Sequence, residues 1–185
     1  NLIEGLQIGS VSSYNNTGAG LRLAVSNGGQ IKTVHCRDTQ LDSNGGSGLF
    51  TEGTGSIHDC TFDDVWASFN DVYGYYFGPL CDDMRVSGGS TLLNGWSGAY
   101  VAGARGTRLL NVDNYSNGRL APSSFGTLVT AGSRFTQILG PHTNSARYGH
   151  KQNGVRIMAG AEDTIIDPRL ITGCPIALDN KGTRT

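Results

Sequence analysis

The stretch GLFTEGTGSIHDCTF, Gly48–Phe62, holds the plan of the chain. A glycine opens a short hydrophobic strand, a polar Glu-Gly-Thr-Gly-Ser segment follows, and Ile57 starts a second apolar run that ends on Phe62. The same order recurs on both sides of it. Gly20, Gly48, Gly74, Gly98, Gly126 and Gly154 lead the first strand in steps of 28, 26, 24, 28 and 28 residues, with Pro175–Leu178 as a last member lacking its glycine. A second series, anchored on Leu6, Ile31, Ile57, Val86, Leu110, Ile138 and Ile165, advances by 25, 26, 29, 24, 28 and 27 residues. Two interleaved series with one period mark a repeat architecture.

Leucine-rich repeats share this period, but their L-x-x-L-x-L frame is absent. Helical repeats need amphipathic stretches of ten or more residues, and glycine interrupts every candidate. Short strands between Gly, Asn, Asp and Ser turns instead stack on their own copies one coil later. The expected fold is an all-β parallel β-helix of about seven coils of 24–29 residues, a single domain over residues 1–185. Alternation in the glycine-led strands points Leu21, Leu49, Tyr75, Ala99, Thr127, Val155 and Ile176 inward, with Leu23, Thr51, Phe77, Val101, Val129, Ile157 and Leu178. The leading glycine is expected to supply the positive φ of a tight corner. Asp59-Cys60, Gly140-Pro141 and Asp167-Pro168 are expected at one bend.

The net charge of −1 and a charged fraction of 16% give no field for nucleic acid or an anionic membrane surface. No apolar run reaches the length of a membrane span. Cys36, Cys60, Cys81 and Cys174 lack C-x-x-C spacing, which argues against a zinc site and leaves free core cysteines or disulfides. No metal site is expected from residue spacing. Repeat arrays need capped ends, and neither the start of the chain nor the closing DNKGTRT supplies a cap, so a fragment of a longer chain is expected.

Three segments, GLRLAVSNGGQIKTVHC, GLFTEGTGSIHDCTF and GVRIMAGAEDTIIDPRL, share the order glycine, strand, polar loop and I-x-x-x-x-hydrophobic. On them the chain resembles the right-handed parallel β-helix proteins, the pectate-lyase-like superfold, over nearly its whole length. The resemblance implies a polysaccharide partner: members include lyases, hydrolases, epimerases and the trimeric tailspike depolymerases of bacteriophages. It also implies a homotrimer, an extracellular or virion-surface location and, as in some lyases of this fold, calcium held by clustered aspartates. Adhesins and structural rods share the fold and give the alternative function.

The outward column of the glycine-led strands reads Arg22, Phe50, Tyr76, Tyr100, Leu128, Arg156 and Ala177. Rings on adjacent coils suit sugar C–H faces, and arginine suits carboxylates, so Phe50, Tyr76, Tyr100, Arg22 and Arg156 are the candidate substrate-binding residues. The alternative is that the rings pack across strands or against another subunit. Glycosidases use two carboxyl groups roughly 5–10 Å apart. Glu52, two residues past Phe50 on its face, with Asp82 and Asp83 after a longer loop in the next coil, are the candidate acids; Asp63, Asp64 and Asp71 stand in reserve. Turn aspartates in solvent are the alternative. His35, His142 and Arg169 are read as one outward column, with His58 one position off it. Trp66 and Trp96 fall where Leu41 does, which suggests packing at a corner or a place on a sugar groove.

Overall fold

The computed structural model describes residues 1–121, 123–140, 152–167 and 171–184, together with the backbone of 142–144. Among these residues there is no helix, and therefore none long and apolar enough to cross a membrane. The chain winds as a parallel β-helix of about six turns, one fewer than the repeats suggest.

Each early coil is built from five-residue sides. The first runs Leu2–Glu4, Gln7–Gly9 and Ser12–Tyr14, with single positive-φ residues Gly5, Ser10 and Asn15 closing the sides. Thr33, Asp38 and Ser43 repeat this one coil on, then Asp59, Asp64 and Phe69, then Asp83, Gly88 and Leu93. Asp, Asn, Ser and Gly dominate because they reach the left-handed region at small cost. The residue after such a corner turns inward together with the middle residue of the strand that follows, as Cys60 and Phe62 do, so a coil buries much side-chain volume with few residues.

Strands stack in register on their copies. The first side holds Leu2–Glu4, Gln30–Lys32, Ser56–His58 and Cys81–Asp82, continued by single bridges through Arg105, Arg134, Glu162 and Thr183. The second side has seven strands, from Gln7–Gly9 to Ile165–Ile166. The third runs from Ser12–Tyr14 to Asp113–Tyr115, and the fourth has seven strands from Leu21–Val25 to Leu178–Asn180. Among the residues filling the interior are Cys36, Phe62, Val86, Leu109 and Ile138 from the second side and Leu49, Tyr75, Ala99, Val129 and Val155 from the fourth. Cys36, Cys60 and Cys81 are free, buried core residues, and burial pushes the Cys60 thiol up to about 11.

The structure corrects the second repeat series. Ile31 and Ile57 lie on the first side beside Cys81, whereas Val86 and Ile138 lie on the second. Inward residues five apart, such as Ile57 and Phe62, are equally apolar, so the reading passes from one column to the other. The single bend also divides: Asp59 ends the first side, while Gly140 and Asp167 follow the second; Pro141 and Pro168 lie outside the described residues.

A buried amide ladder fixes the turn between the third and fourth sides. Asn44, Asn70, Asn94 and Asn117 occupy equivalent places, and all are at most 1% exposed. The backbone N–H and Nδ2 of Asn44 both donate to Asn70 Oδ1, at 3.1 and 2.9 Å. Asn70 repeats this to Asn94, and Asn94 to Asn117. Asn16 begins the ladder, and Gln152 ends it by accepting from the Asn117 N–H at 2.7 Å. The second Nδ2 hydrogen binds a third-side carbonyl, as Asn94 does to Ala67 at 2.9 Å.

This ladder explains the leading glycines, and the expected reason for them is wrong. Gly20, Gly48, Gly74 and Gly98 do not have positive φ. They are glycine because the next coil leaves no space. A Cβ on Gly20 would lie 2.7 Å from Asn44 Nδ2, and one on Gly48 2.9 Å from Asn70 Nδ2. On Gly74 it would lie 2.6 Å from the Gly98 carbonyl oxygen.

Replacing Asn94 by alanine strands two donors of Asn70 in the core and removes the side-chain donor to the Ala67 carbonyl. At about 1–3 kcal/mol for a buried group left unsatisfied, N94A should lower unfolding stability by roughly 2–4 kcal/mol. Exposed Gln7→Ala should stay within about 0.5 kcal/mol. Urea unfolding followed by circular dichroism measures both.

Candidate functional site

The fourth side carries the column that the sequence selects. Leu21, Leu49, Tyr75, Ala99, Thr127 and Val155 pair in register and point inward. Between them Arg22, Phe50, Tyr76, Tyr100, Leu128 and Arg156 stand side by side on the outer surface. The last strand is slipped by two residues from the expected place. Leu178, not Ile176, pairs with Val155, so Asp179 rather than Ala177 ends the outer column. Ile176 is exposed, and its carbonyl instead accepts from Gly154.

The rings form one cluster. Phe50 and Tyr76 have centroids 4.7 Å apart, and Tyr76 and Tyr100 5.5 Å. Tyr73, from the turn before the strand of Tyr76, stacks on Tyr100 at 4.6 Å and 13°. Trp96, from the equivalent turn one coil later, meets Tyr73 edge-on at 6.1 Å and 77°. The rings therefore cover much of one another's faces, and all four of Phe50, Tyr73, Tyr76 and Tyr100 are half-buried. Burial, then the neighbouring Tyr100 and Tyr76 hydroxyls, pushes the Tyr73 phenol up to about 12; burial raises Tyr76 in the same way.

An arginine–carboxylate pair brackets the cluster at each end. Arg22 contacts Glu52 directly. Arg156 Nε lies 2.8 Å from Asp179 Oδ2, and its guanidinium sits 4.1 Å above the Phe125 ring. Beside Phe50 opens a cleft of about 400 Å³ lined by Arg22, Phe50, Glu52 and Val72, with small residues Gly18, Ala19, Gly46 and Ser47 along it.

The other candidate acids lie elsewhere. Asp82 points from the first side, where it pairs in register with His58 and bridges to Arg105. Gly78, Pro79 and Leu80 turn the chain between that side and the fourth. The loop is shorter than expected: Asp82 follows Tyr76 by six residues, whereas His58 follows Phe50 by eight. Asp82 lies 3.9 Å from Arg105, and Asp83, at a positive-φ corner, 3.8 Å from Arg108. A separate polar cleft of about 260 Å³ holds these four residues with Gly106, Phe135 and Gln137. Glu52 is thus gathered with the rings, and Asp82 and Asp83 are gathered with arginines. Of the reserve carboxylates, Asp71 is tied to Arg119 at 2.8 Å, and Asp63 pairs in register with Arg37.

Two further expectations change. His35 lies on the second side, whereas the strand of His142 pairs with Ile171 in a separate short sheet, so they share no column. Arg169 lies outside the described residues. Trp66 and Trp96 are exposed, unlike Leu41, which pairs with Ala67 and is buried. Among the described residues no group of three or more His, Cys, Asp or Glu side chains is placed to hold a metal ion. Sequence reading missed Tyr73, Asp179 and the amide ladder. The recurring Asn-x-x-x-Gly at Asn16, Asn44, Asn70 and Asn94 was the signal for the last.

No protein-family model matches the chain, and no curated protein matches its sequence. Its structure is similar to the A-module of the mannuronan C-5 epimerase of Azotobacter vinelandii, with a TM-score of 0.57 and 14% identity. The similarity covers 96% of this chain and 55% of that one. The shared property is the parallel β-helix fold.

Tyr73 and the fully buried Tyr75 both hold their protons above the ordinary value of 10 through burial. Between about pH 10 and 12 the unfolded chain has lost these protons while the folded chain keeps them, so stability falls as pH rises. Denaturant midpoints should drop steadily over that window, and Tyr73→Phe should make the drop shallower. An unchanged slope in Y73F would remove Tyr73 from the buried cluster.

Proposed function

We propose that this chain binds a polysaccharide along its fourth side and acts on it there, with Glu52 the carboxylate nearest the bound sugar. The cleft beside Phe50 carries this reading. It joins an aromatic wall, an arginine and a carboxylate along a surface kept low by glycine, alanine and serine. Carbohydrate sites combine these elements, an apolar ring for sugar C–H groups and a few charged groups that fix orientation. The rings advance by 4.7 and 5.5 Å from coil to coil, so an extended glycan lying parallel to the helix axis meets a new ring at each coil. Arg22 and Arg156 offer forks for uronate carboxylates at the two ends. The similar epimerase module acts on mannuronan by its name, which fits an acidic glycan as substrate class.

If the chemistry is hydrolysis, Glu52 takes one of the two carboxyl roles. Asp82 and Asp83 belong to it only if the glycan passes the Gly78–Leu80 corner. If the chemistry removes a proton beside a uronate carboxylate, a base is needed, and Glu52 is the carboxylate lining the cleft. A second reading has the aromatic cluster pack on another copy of the chain; it draws on the rings already covering one another.

The experiment is a panel of neutral and acidic polysaccharides, mannuronan among them, with binding followed by calorimetry. New reducing ends and the ultraviolet absorbance of unsaturated uronates report cleavage. Binding should favour an acidic glycan, and Tyr76→Ala should weaken it at least tenfold while circular dichroism and size in solution stay unchanged. Loss of assembly in Y76A, with glycan binding intact, would favour the copy-to-copy reading instead.

A further inference from the structure

The amide ladder does more than hold the turns between the third and fourth sides. It places the same backbone at every coil, so the second and third residues after each asparagine take equivalent places, the second of them a display position. They read Gly18-Ala19, Gly46-Ser47, Val72-Tyr73 and Trp96-Ser97. In the first two coils they are small, and the cleft beside Phe50 runs over them. In the third, Val72 lines the cleft and Tyr73 turns back onto Tyr76 and Tyr100. In the fourth, the display position is a tryptophan.

We infer that Trp96 is the principal sugar-stacking residue of the fourth side, so that a glycan runs from the cleft across the turns onto its indole. This rests on the glycan reading of that side. The rings of Tyr73, Tyr76 and Tyr100 lie against one another and are half-buried. Trp96 meets Tyr73 at an interplanar angle of 77° and is 50% exposed, so half of the indole stays open to a ligand. Its indole N–H finds no acceptor among the described residues, whereas that of Trp66 donates to Ser68 Oγ at 2.8 Å. An open face with an unused donor suits the C–H face of a pyranose and an adjoining hydroxyl.

The mounting is rigid. The Trp96 backbone N–H donates to the Val72 carbonyl at 2.8 Å, and Gly95 N–H to that of Asn70 at 2.7 Å. Gly95 is packed so closely that a Cβ there would fall 2.1 Å from the Asp71 carbonyl oxygen. Arg119 reaches back two coils to Asp71 at 2.8 Å. A stacking residue held this firmly loses little freedom when the sugar arrives.

The chain has two tryptophans, so Trp66→Phe leaves Trp96 as the fluorophore. The probes are oligosaccharides of polymannuronate, and maltooligosaccharides as the neutral counterpart. Saturating the W66F chain should quench or blue-shift its emission. Trp96→Ala should weaken binding at least tenfold by calorimetry, and Trp96→Phe should restore most of it. If the wild-type chain binds a probe but W96A binds equally well and W66F emission does not move, Trp96 is not the platform and the fourth-side reading survives. If the folded wild-type chain binds neither probe, both are overturned. If sedimentation shows a self-associating wild-type chain and a monomeric W96A, the indole face belongs to a contact between copies and the inference is wrong.

Discussion

The structure depends on one buried amide per coil. Each asparagine from Asn44 to Asn94 offers its Oδ1, its Nδ2 and its backbone N–H to fixed partners on neighbouring strands. A polar group in the core is costly unless it is paired. Stacked asparagines meet that condition only when consecutive turns superimpose, so the ladder selects one register for the whole solenoid. The glycines four residues downstream follow from the same superposition, because the next coil occupies the space of their Cβ atoms, with an amide nitrogen at Gly20, Gly48 and Gly98 and the Gly98 carbonyl at Gly74.

A register fixed in this way turns the fourth side into a surface written by the few positions that vary. On its strands the outer column runs from Arg22 through three rings and Leu128 to Arg156. Along its turns the display positions run from glycine to tryptophan. The first and second sides carry ion pairs in place of the ring cluster, such as Arg105–Asp82, Arg108–Asp83 and Arg134–Glu162. Pairs of that sort add little to stability. The aromatic cluster, the small-residue cleft and the unshared indole all fall on the fourth side and its turns.

The fold was legible because two independent features repeat: strand alternation and the glycine before the strand. The outer column from Arg22 to Arg156 followed directly, since each member sits two residues after its glycine. Where the glycine is missing, before Leu178, the reading slipped by two residues. The second series crossed columns because inward residues on adjacent five-residue sides are both apolar, as Ile57 and Phe62 are. The steric role of the glycines was hidden, because the clash is with a coil about 26 residues away rather than with a chain neighbour. Tyr73 and Trp96 lie outside the strand period and join the cluster only through the folded turn. Asp82 and Asp83 looked adjacent to Glu52 along the coil, but a corner at Gly78–Leu80 turns them to another side.

The central claim is that the fourth side and its amide-held turns form the ligand surface. Amide hydrogen exchange of the chain with and without a binding polysaccharide tests it most directly. The account predicts added protection confined to 45–52, 71–76 and 95–100, with the second side unchanged. Protection centred instead on the second side, around the neighbouring Arg85 and Arg108, would contradict it.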